Sequence, residues 1–144
     1  MSKIEWCINQ KGGIELIEQK PHLSASYIKE ADDTLESLLK INGRWKVIMA
    51  YYACYSAVYS LLMKCGIKSE IHDCTIALMK ILGFEKNEIE YIRKLKSDRI
   101  DAQYYLKNIE FADEKNVKEF VLKCKEISEE LNDDKINEIR KMIK

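Results

Sequence analysis

The segment DRIDAQYY, residues 98–105, places an arginine within the apolar stripe of a predicted helix. Ile92, Leu95, Ala102 and Leu106 surround Arg99 at helical spacing, and all five residues lie within about 80° of one another around the helix. The positions three and four residues away carry no carboxylate, so an ordinary salt bridge within the helix does not neutralise the guanidinium. Arg99 must meet a partner from another helix, another subunit or an anionic ligand, or extend along the bundle edge to water.

Other side chains that could do chemistry lie on two earlier predicted helices. His72 falls in the first turn of its helix, where the helix dipole disfavours the imidazolium form, so we expect a neutral ring. Its neighbours suggest no nucleophile and base pair, and capping or packing is the expected role. Tyr52, Tyr55 and Tyr59 share one side of the preceding helix. Packing is the expected use of these rings, and base stacking is the alternative.

The charge of the chain does not by itself attract it to nucleic acid or to anionic lipid. Among 144 residues, 24 basic and 24 acidic side chains give a formal net charge of zero. Nucleic-acid binding would depend on a local patch, and a helix spreads Arg93, Lys94 and Lys96 over more than half of its circumference. These three side chains are therefore expected to form a solvated face.

The five cysteines do not form a recognisable metal motif. Their number is odd, no CxxC pair occurs, and with only His22 and His72 available the sequence predicts no metal site and no cofactor. We expect buried or inert thiols in a reducing, cytoplasmic setting, since the first residues also lack a signal-peptide pattern. The apolar run from Trp45 to Met63 has the length of a membrane span, but its lysine, serines and tyrosines indicate the buried central helix of a bundle.

One proline and five glycines favour helices over strands, which need more turns. We predict an all-α, up-and-down bundle of four to five helices that forms one domain over residues 1–144. Its core spans about 24–131, a short cap segment containing a strand-like piece precedes it at 1–20, and a short helix follows at 133–144. The predicted helices are about 24–41, 44–65, 69–82, 86–108 and 113–131, with Ser69 as a candidate N-cap.

Two segments together resemble the HEPN domain family. RWKVIMAYYACYSAVYSLLMKCGIKSEIHDCTIALMKIL, residues 44–82, is similar to the paired central helices of HEPN domains, with an aromatic helix, a Tyr-Tyr-Ala step, a Lys-Gly-type turn and a histidine near the next helix. DRIDAQYY resembles the Arg-x-x-Ala-Asp-Tyr stretch of their last core helix. The similarity covers about residues 24–125 and is greatest to small stand-alone HEPN proteins.

The resemblance implies a homodimeric helical bundle. Many HEPN proteins are metal-independent ribonucleases, often toxins paired with a minimal nucleotidyltransferase (MNT) antitoxin. Their active motif is an arginine followed after four to six residues by a histidine, and two copies meet across the dimer cleft. Arg99 matches the arginine, but Tyr104, Tyr105 and Leu106 occupy the positions where the histidine would stand, and Gln103 replaces the aspartate. A tyrosine with a pKa near 10 transfers protons poorly at neutral pH.

Three functions follow as hypotheses. The first is a homodimeric HEPN-like protein of toxin–antitoxin type that binds a nucleotide, RNA phosphate or a partner protein without efficient RNA cleavage. The second is a divergent HEPN endoribonuclease in which Arg99 stabilises phosphate charge while Tyr104 or His72 carries the proton. The third is a structural adaptor for an MNT-type nucleotidyltransferase, with Arg99 in an inter-helix salt bridge. Candidate catalytic residues are Arg99 and Tyr104, and candidate anion-binding residues are Arg99, Asp98, Asp101 and His72.

Overall fold

A computed structural model describes residues 2–109 and 113–144 of the chain. Within these ranges the protein is mostly helical, at 74%, and contains one small sheet. The predominantly helical fold is confirmed, while the two-stranded sheet corrects the all-α prediction. The elements in chain order are α1 (Lys3–Ile8), β1 (Ile14–Leu16), α2 (Pro21–Leu38), α3 (Arg44–Cys65), β2 (Ile67–Ser69), α4 (His72–Leu82), α5 (Lys86–Tyr104), α6 (Glu114–Glu130) and α7 (Asp133–Ile143).

Helix α3 is the central element, and its ends are those that the sequence predicts. Gly43 and Gly66 flank it, and both have positive φ angles, of 78° and 75°. Its apolar residues are buried around nearly the whole circumference, because α2, α5 and α6 all pack against it. Lys46 is buried beside them and forms an ion pair with Glu114 at the start of α6. The run from Trp45 to Met63 is thus a core helix.

The cap segment pairs with the chain that follows α3. Strands β1 and β2 are antiparallel, with Ile14 opposite Ser69 and Leu16 opposite Ile67. The strand-like piece near residue 14 is therefore confirmed, but Ser69 is a strand residue and not the N-cap of α4. Ile71 takes the cap position, and the Ser69 hydroxyl donates a hydrogen bond to its carbonyl at 3.2 Å.

A disulfide joins Cys7 of α1 to Cys74 of α4, across a sequence separation of 67 residues. The prediction that all cysteines are free thiols is therefore wrong for this pair, because the fold lays α1 against the first turn of α4. Cys54, Cys65 and Cys124 are free and buried. The disulfide attaches the cap segment to the helix that begins at His72.

Arg140 of α7 closes the other side of the cap segment. Its Nη1 donates to the carbonyls of Ile17, Cys65 and Gly66 at 2.9, 3.0 and 2.8 Å. Only glycine fits at position 66, since a Cβ there would lie 2.6 Å from the Ile17 carbonyl oxygen. One guanidinium thereby joins the chain after β1 to the end of α3 and pairs the carbonyls of Ile17 and Cys65.

Helix α5 is shorter than the sequence predicts and ends at Tyr104. Leu106 has a φ of 53°, and the N–H of Lys107 returns to the carbonyl of Asp101 at 3.0 Å. This turn stops the helix four residues before the predicted end at Asn108. Leu106 is consequently exposed, although its position in the stripe predicted an inward orientation.

Within residues 2–109 and 113–144, no helix combines the length and apolar character that crossing a membrane requires.

Candidate functional site

Arg99 lies on the inner face of α5, as its position in the stripe predicts. Ile92, Leu95 and Ala102 are buried on the same face, and Arg99 itself is only 7% exposed. Ala102 packs against Val47 of α3, so the last turns of α5 lie along the first turns of α3. The two helices therefore run antiparallel at this end of the fold, and Arg99 faces the tyrosines of α3.

The polar partners of the Arg99 guanidinium are neutral. Its Nη1 donates to the hydroxyl of Tyr52 at 2.9 Å and to Oε1 of Gln103 at 3.5 Å. Its Nε is buried and has no hydrogen-bond acceptor within the described part of the chain. In that same part, no carboxylate forms an ion pair with Arg99. The charge is thus buried with fewer hydrogen bonds than its donors could make.

Aromatic rings surround the guanidinium instead of carboxylates. The Arg99 Cζ lies 4.9 Å from the ring centroid of Tyr51, 5.5 Å from that of Tyr52 and 6.0 Å from that of Tyr104. A ring face attracts a cation through its quadrupole, so these contacts recover part of the hydration that Arg99 loses. They supply no negative charge, and an anion would still be favoured at this position.

His72 joins the same cluster from α4. Its Nδ1 is 2.7 Å from the Tyr51 hydroxyl, and its ring stacks on Tyr55 with centroids 4.2 Å apart. Burial lowers the pKa of His72 below its usual value, and the nearby charges of Arg99 and Lys96 lower that pKa further. The neutral ring expected from the sequence is therefore supported, with burial as the main cause. Tyr51 links His72 and Arg99, because it hydrogen-bonds one and lies beside the other.

The hydroxyls of Tyr51 and Tyr55 stay protonated near neutral pH. Burial raises the pKa of Tyr55 to about 12 and raises that of Tyr51 further. Neither phenol is therefore a base at neutral pH, and each acts as a hydrogen-bonding group. The Tyr55 hydroxyl is 2.9 Å from Thr75 Oγ1, which donates to Ser69 Oγ at 2.9 Å. This chain of hydroxyls fixes the ring on which His72 stacks.

A salt bridge holds the start of α4 against α5. Lys96 Nζ lies 2.6 Å from Asp73 Oδ1, and this contact lowers the pKa of the Asp73 carboxyl. Because Asp73 follows His72 and Lys96 lies on the same helix as Arg99, the pair sets the spacing between the two halves of the cluster. This salt bridge and the Cys7–Cys74 disulfide together anchor the first turn of α4.

The candidate residues of the sequence are brought together only in part. Arg99 and His72 meet through Tyr51, although they are far apart in the chain. Asp98 instead pairs with Lys94 at 2.9 Å, and Asp101 pairs with Lys107 at 3.8 Å. Among the described residues, neither aspartate is a hydrogen-bond partner of Arg99. Tyr104 is 65% exposed, and its ring borders the guanidinium.

Sequence reasoning missed the residues that contact Arg99 directly, Tyr51 and Tyr52. Their signal was present, because α3 carries tyrosines along the face that an antiparallel α5 would cover. Tyr52, Tyr55 and Tyr59 were assigned to packing, and the structure adds that Tyr52 accepts a hydrogen bond from Arg99. Nothing in the sequence alone aligns position 52 with position 99, which requires the antiparallel pairing of α3 and α5.

In chemical terms, the cluster places a buried guanidinium with an unpaired donor next to a neutral imidazole. A guanidinium with unused donors binds a phosphate or carboxylate oxygen through two parallel hydrogen bonds. No group of three or more His, Cys, Asp or Glu side chains in the described ranges is arranged to hold a metal ion. Comparisons with protein-family models, with curated proteins and with solved structures find no match to this chain. Function is therefore inferred from its own residues.

Proposed function

We propose that this chain is a HEPN-like, homodimeric protein of the toxin–antitoxin type that binds a nucleotide or an RNA phosphate at Arg99 without efficient RNA cleavage. The observation that carries the proposal is the burial of Arg99 among neutral partners. An uncompensated buried cation is costly, and a protein that keeps one gains most when an anion completes the site.

Tyr104 gives the ligand a route to Arg99. Its exposed ring borders the guanidinium at the last residue of α5, and exposed side chains change rotamer within nanoseconds. A phosphate would reach the free donors of Arg99 once this ring moves aside, and a base could then stack on the displaced ring. The positive charge of Arg99 and the ring of Tyr104, which offers a stacking surface for a base, thus lie next to each other.

An apolar surface at the same end of the fold supports the dimer. Exposed aromatic and aliphatic side chains at the end of α2, the start of α3 and the end of α5 would be covered by a second copy. These side chains are Leu39, Trp45, Tyr104, Tyr105 and Leu106. Sedimentation equilibrium should give twice the 16.9 kDa of one chain, and a strictly monomeric mass at micromolar concentration would contradict the dimer.

RNA binding tests the anion site. A fluorescein-labelled single-stranded RNA of twelve nucleotides is titrated with protein in low salt and EDTA, and fluorescence anisotropy reports binding. Arg99→Gln should weaken binding by about tenfold or more, because it removes a charged, bidentate phosphate contact. Arg93→Gln is the matched control, because Arg93 is exposed on the same helix and lies about 120° away around it. Equal loss in both variants, or no binding by the wild type, would refute the site.

A second candidate is a metal-independent endoribonuclease, which the position of His72 favours. A neutral imidazole one tyrosine away from Arg99 can accept a proton at neutral pH. Cleavage of the same RNA in EDTA, followed on a denaturing gel, separates the two candidates. Robust cleavage that is lost in Arg99→Gln would favour the enzyme, and then His72→Gln and Tyr104→Phe identify the proton carrier.

Expression in a bacterial host tests the toxin assignment. The proposal expects induction of the wild-type chain to slow growth, and Arg99→Gln to relieve that effect while the protein still accumulates. Growth inhibition that persists unchanged in Arg99→Gln would mean that toxicity does not depend on this site.

A further inference from the structure

A groove with a volume of about 540 Å³ runs between α1, α4 and α5, on a face separate from Arg99. Its floor is mostly aliphatic: Ile4, Ala77 and Ile89 are half-buried there, and Ile76 and the ring of Phe84 close the base. The Cys7–Cys74 disulfide fixes α1, which forms one wall, against α4, which forms the next. The groove is therefore preformed in the folded chain. We name it the α1–α4–α5 groove.

The rim of the groove is basic. Four cations lie around it, Lys3, Lys80, Lys86 and Arg93, against the single carboxylate of Glu90. Lys86 and Glu90 are 3.9 Å apart and largely exposed, which makes a weak pair. In the described part of the chain, no carboxylate forms an ion pair with Lys80 or Arg93. Asp73 lies near this face, but Lys96 already engages it at 2.6 Å.

The spacing of these cations determines what the groove fits. Lys86 and Arg93 are seven positions apart on α5, two helical turns, or about 10 Å along the axis. A single headgroup contacts one of them, whereas a partner with carboxylates on successive turns contacts both. The one ring in the lining, that of Phe84, is 5% exposed and stacks on Phe120, so the floor presents little ring surface to bases and suits apolar side chains better than RNA.

We propose that the α1–α4–α5 groove docks an acidic amphipathic helix from a partner protein. Leucine-type side chains on one face of that helix would fill the aliphatic floor, and flanking carboxylates would meet Lys80, Lys86 and Arg93. The proposal does not depend on the Arg99 site, because Arg93 and Arg99 lie on different faces of α5.

The probe is a labelled fourteen-residue peptide with leucines on one helical face and glutamates elsewhere. A peptide with lysines in place of the glutamates is its control, and fluorescence anisotropy is measured at low and at moderate salt. The full-length protein should bind the acidic peptide at least about tenfold more tightly than the basic one, and added salt should weaken that binding. Equal affinity for the two peptides would overturn the proposal.

Charge reversal locates the binding. Lys80→Glu with Arg93→Glu should weaken binding of the acidic peptide by about tenfold or more, since two attractive contacts become repulsive. Ala77→Trp, which fills the floor without changing charge, should weaken it as well. Lys11→Glu with Lys141→Glu is the matched control, because both lysines are exposed and lie outside the groove, and it should change affinity by less than about threefold. Circular dichroism confirms that each variant folds.

Two other occupants would show themselves in the same variants. If Lys80→Glu with Arg93→Glu lowers RNA affinity as much as Arg99→Gln does, the groove is a nucleic-acid surface and the helix proposal is wrong. If the same double variant converts a dimer into a monomer, the groove is occupied by a second copy of this chain, and the proposal fails in that case too. Loss of peptide binding with RNA binding and mass unchanged is the expected result.

Discussion

Two arginines of this chain lie between packed elements and differ in how well their hydrogen-bond donors are paired. Arg140 reaches from α7 into the cap region, meaning α1, β1, β2 and α7, and donates to three backbone carbonyls within 3.0 Å. Arg99 reaches from α5 to the tyrosines of α3, donates to one hydroxyl at 2.9 Å and leaves its Nε without an acceptor in the described residues. Arg140 thus joins backbone segments through its hydrogen bonds, whereas Arg99 keeps a donor that no described residue pairs.

The difference between Arg140 and Arg99 indicates how a structural arginine can be distinguished from a ligand-binding one. Among the described residues, the carbonyls of Ile17 and Cys65 accept from Arg140 and from no other donor, whereas that of Gly66 also accepts from the Ile17 N–H at 2.8 Å, so Arg140 contributes to stability mainly through the first two. The rings around Arg99 are those of tyrosines, which contact a cation favourably but pack equally well against an apolar side chain. The cap region should therefore be sensitive to stability variants, and the Arg99 cluster to ligand-binding variants.

The largest stability effect is expected from the disulfide of the cap region. Replacing both Cys7 and Cys74 by alanine should lower the free energy of unfolding by about 3–4 kcal/mol, because the crosslink restricts a long segment of the unfolded chain. Urea denaturation with and without dithiothreitol measures it. The reductant should lower the stability of the wild type and leave the double variant unchanged. A wild type indifferent to reductant would show that this crosslink does not stabilise the cap region.

Arg140→Met should have the next largest effect, a loss of about 2–3 kcal/mol of unfolding free energy. The change leaves the carbonyls of Ile17 and Cys65 without their donor in a half-buried position, while that of Gly66 keeps the Ile17 N–H. RNA affinity should stay within about threefold of the wild type, since no phosphate contact is removed. Arg140→Lys, which keeps the charge but not the fork, should fall between the two proteins in the same urea titration. Wild-type stability in Arg140→Met would show that the hydrogen bonds of Arg140 do not stabilise the cap region.

A smaller, pH-dependent effect is expected from His72. Its pKa is lower in the folded protein than the usual 6.5, so the unfolded chain binds the proton more readily. The stabilisation is complete above about pH 6.5 and is lost as the pH falls through that value toward the folded-state pKa. Urea denaturation between pH 7.5 and about 5 should give a shallower pH slope for His72→Gln than for the wild type. Identical slopes would mean that His72 titrates alike in both states.

The sequence predicts most of the helices, because their signals are local. Apolar spacing and the flanking glycines place both ends of α3 correctly, and the stripe around Arg99 correctly places that residue inside. The end of α5 was predicted four residues too late, because the left-handed turn at Leu106 has no glycine to signal it.

What the sequence could not provide are contacts between distant segments. The pairing of β1 with β2, the Cys7–Cys74 bond and the approach of Tyr52 to Arg99 each join residues 47 or more positions apart, and their local patterns carry no register. The HEPN resemblance supplied an expected role for Arg99 and Tyr104. Its Tyr-Tyr-Ala step includes Tyr51 and Tyr52, but it did not indicate that either contacts Arg99, and the homodimer and RNA assignments remain proposals.

The most direct test of the contrast is the stability of Arg99→Met, measured by urea denaturation with and without the twelve-nucleotide RNA. Methionine has a similar length and no charge, so without RNA the variant should stay within about 1 kcal/mol of the wild type. RNA at ten times its Kd should add about 1.4 kcal/mol to the wild type and nothing to the variant. A loss in Arg99→Met as large as that in Arg140→Met, or equal stabilisation of both proteins by RNA, would contradict the account.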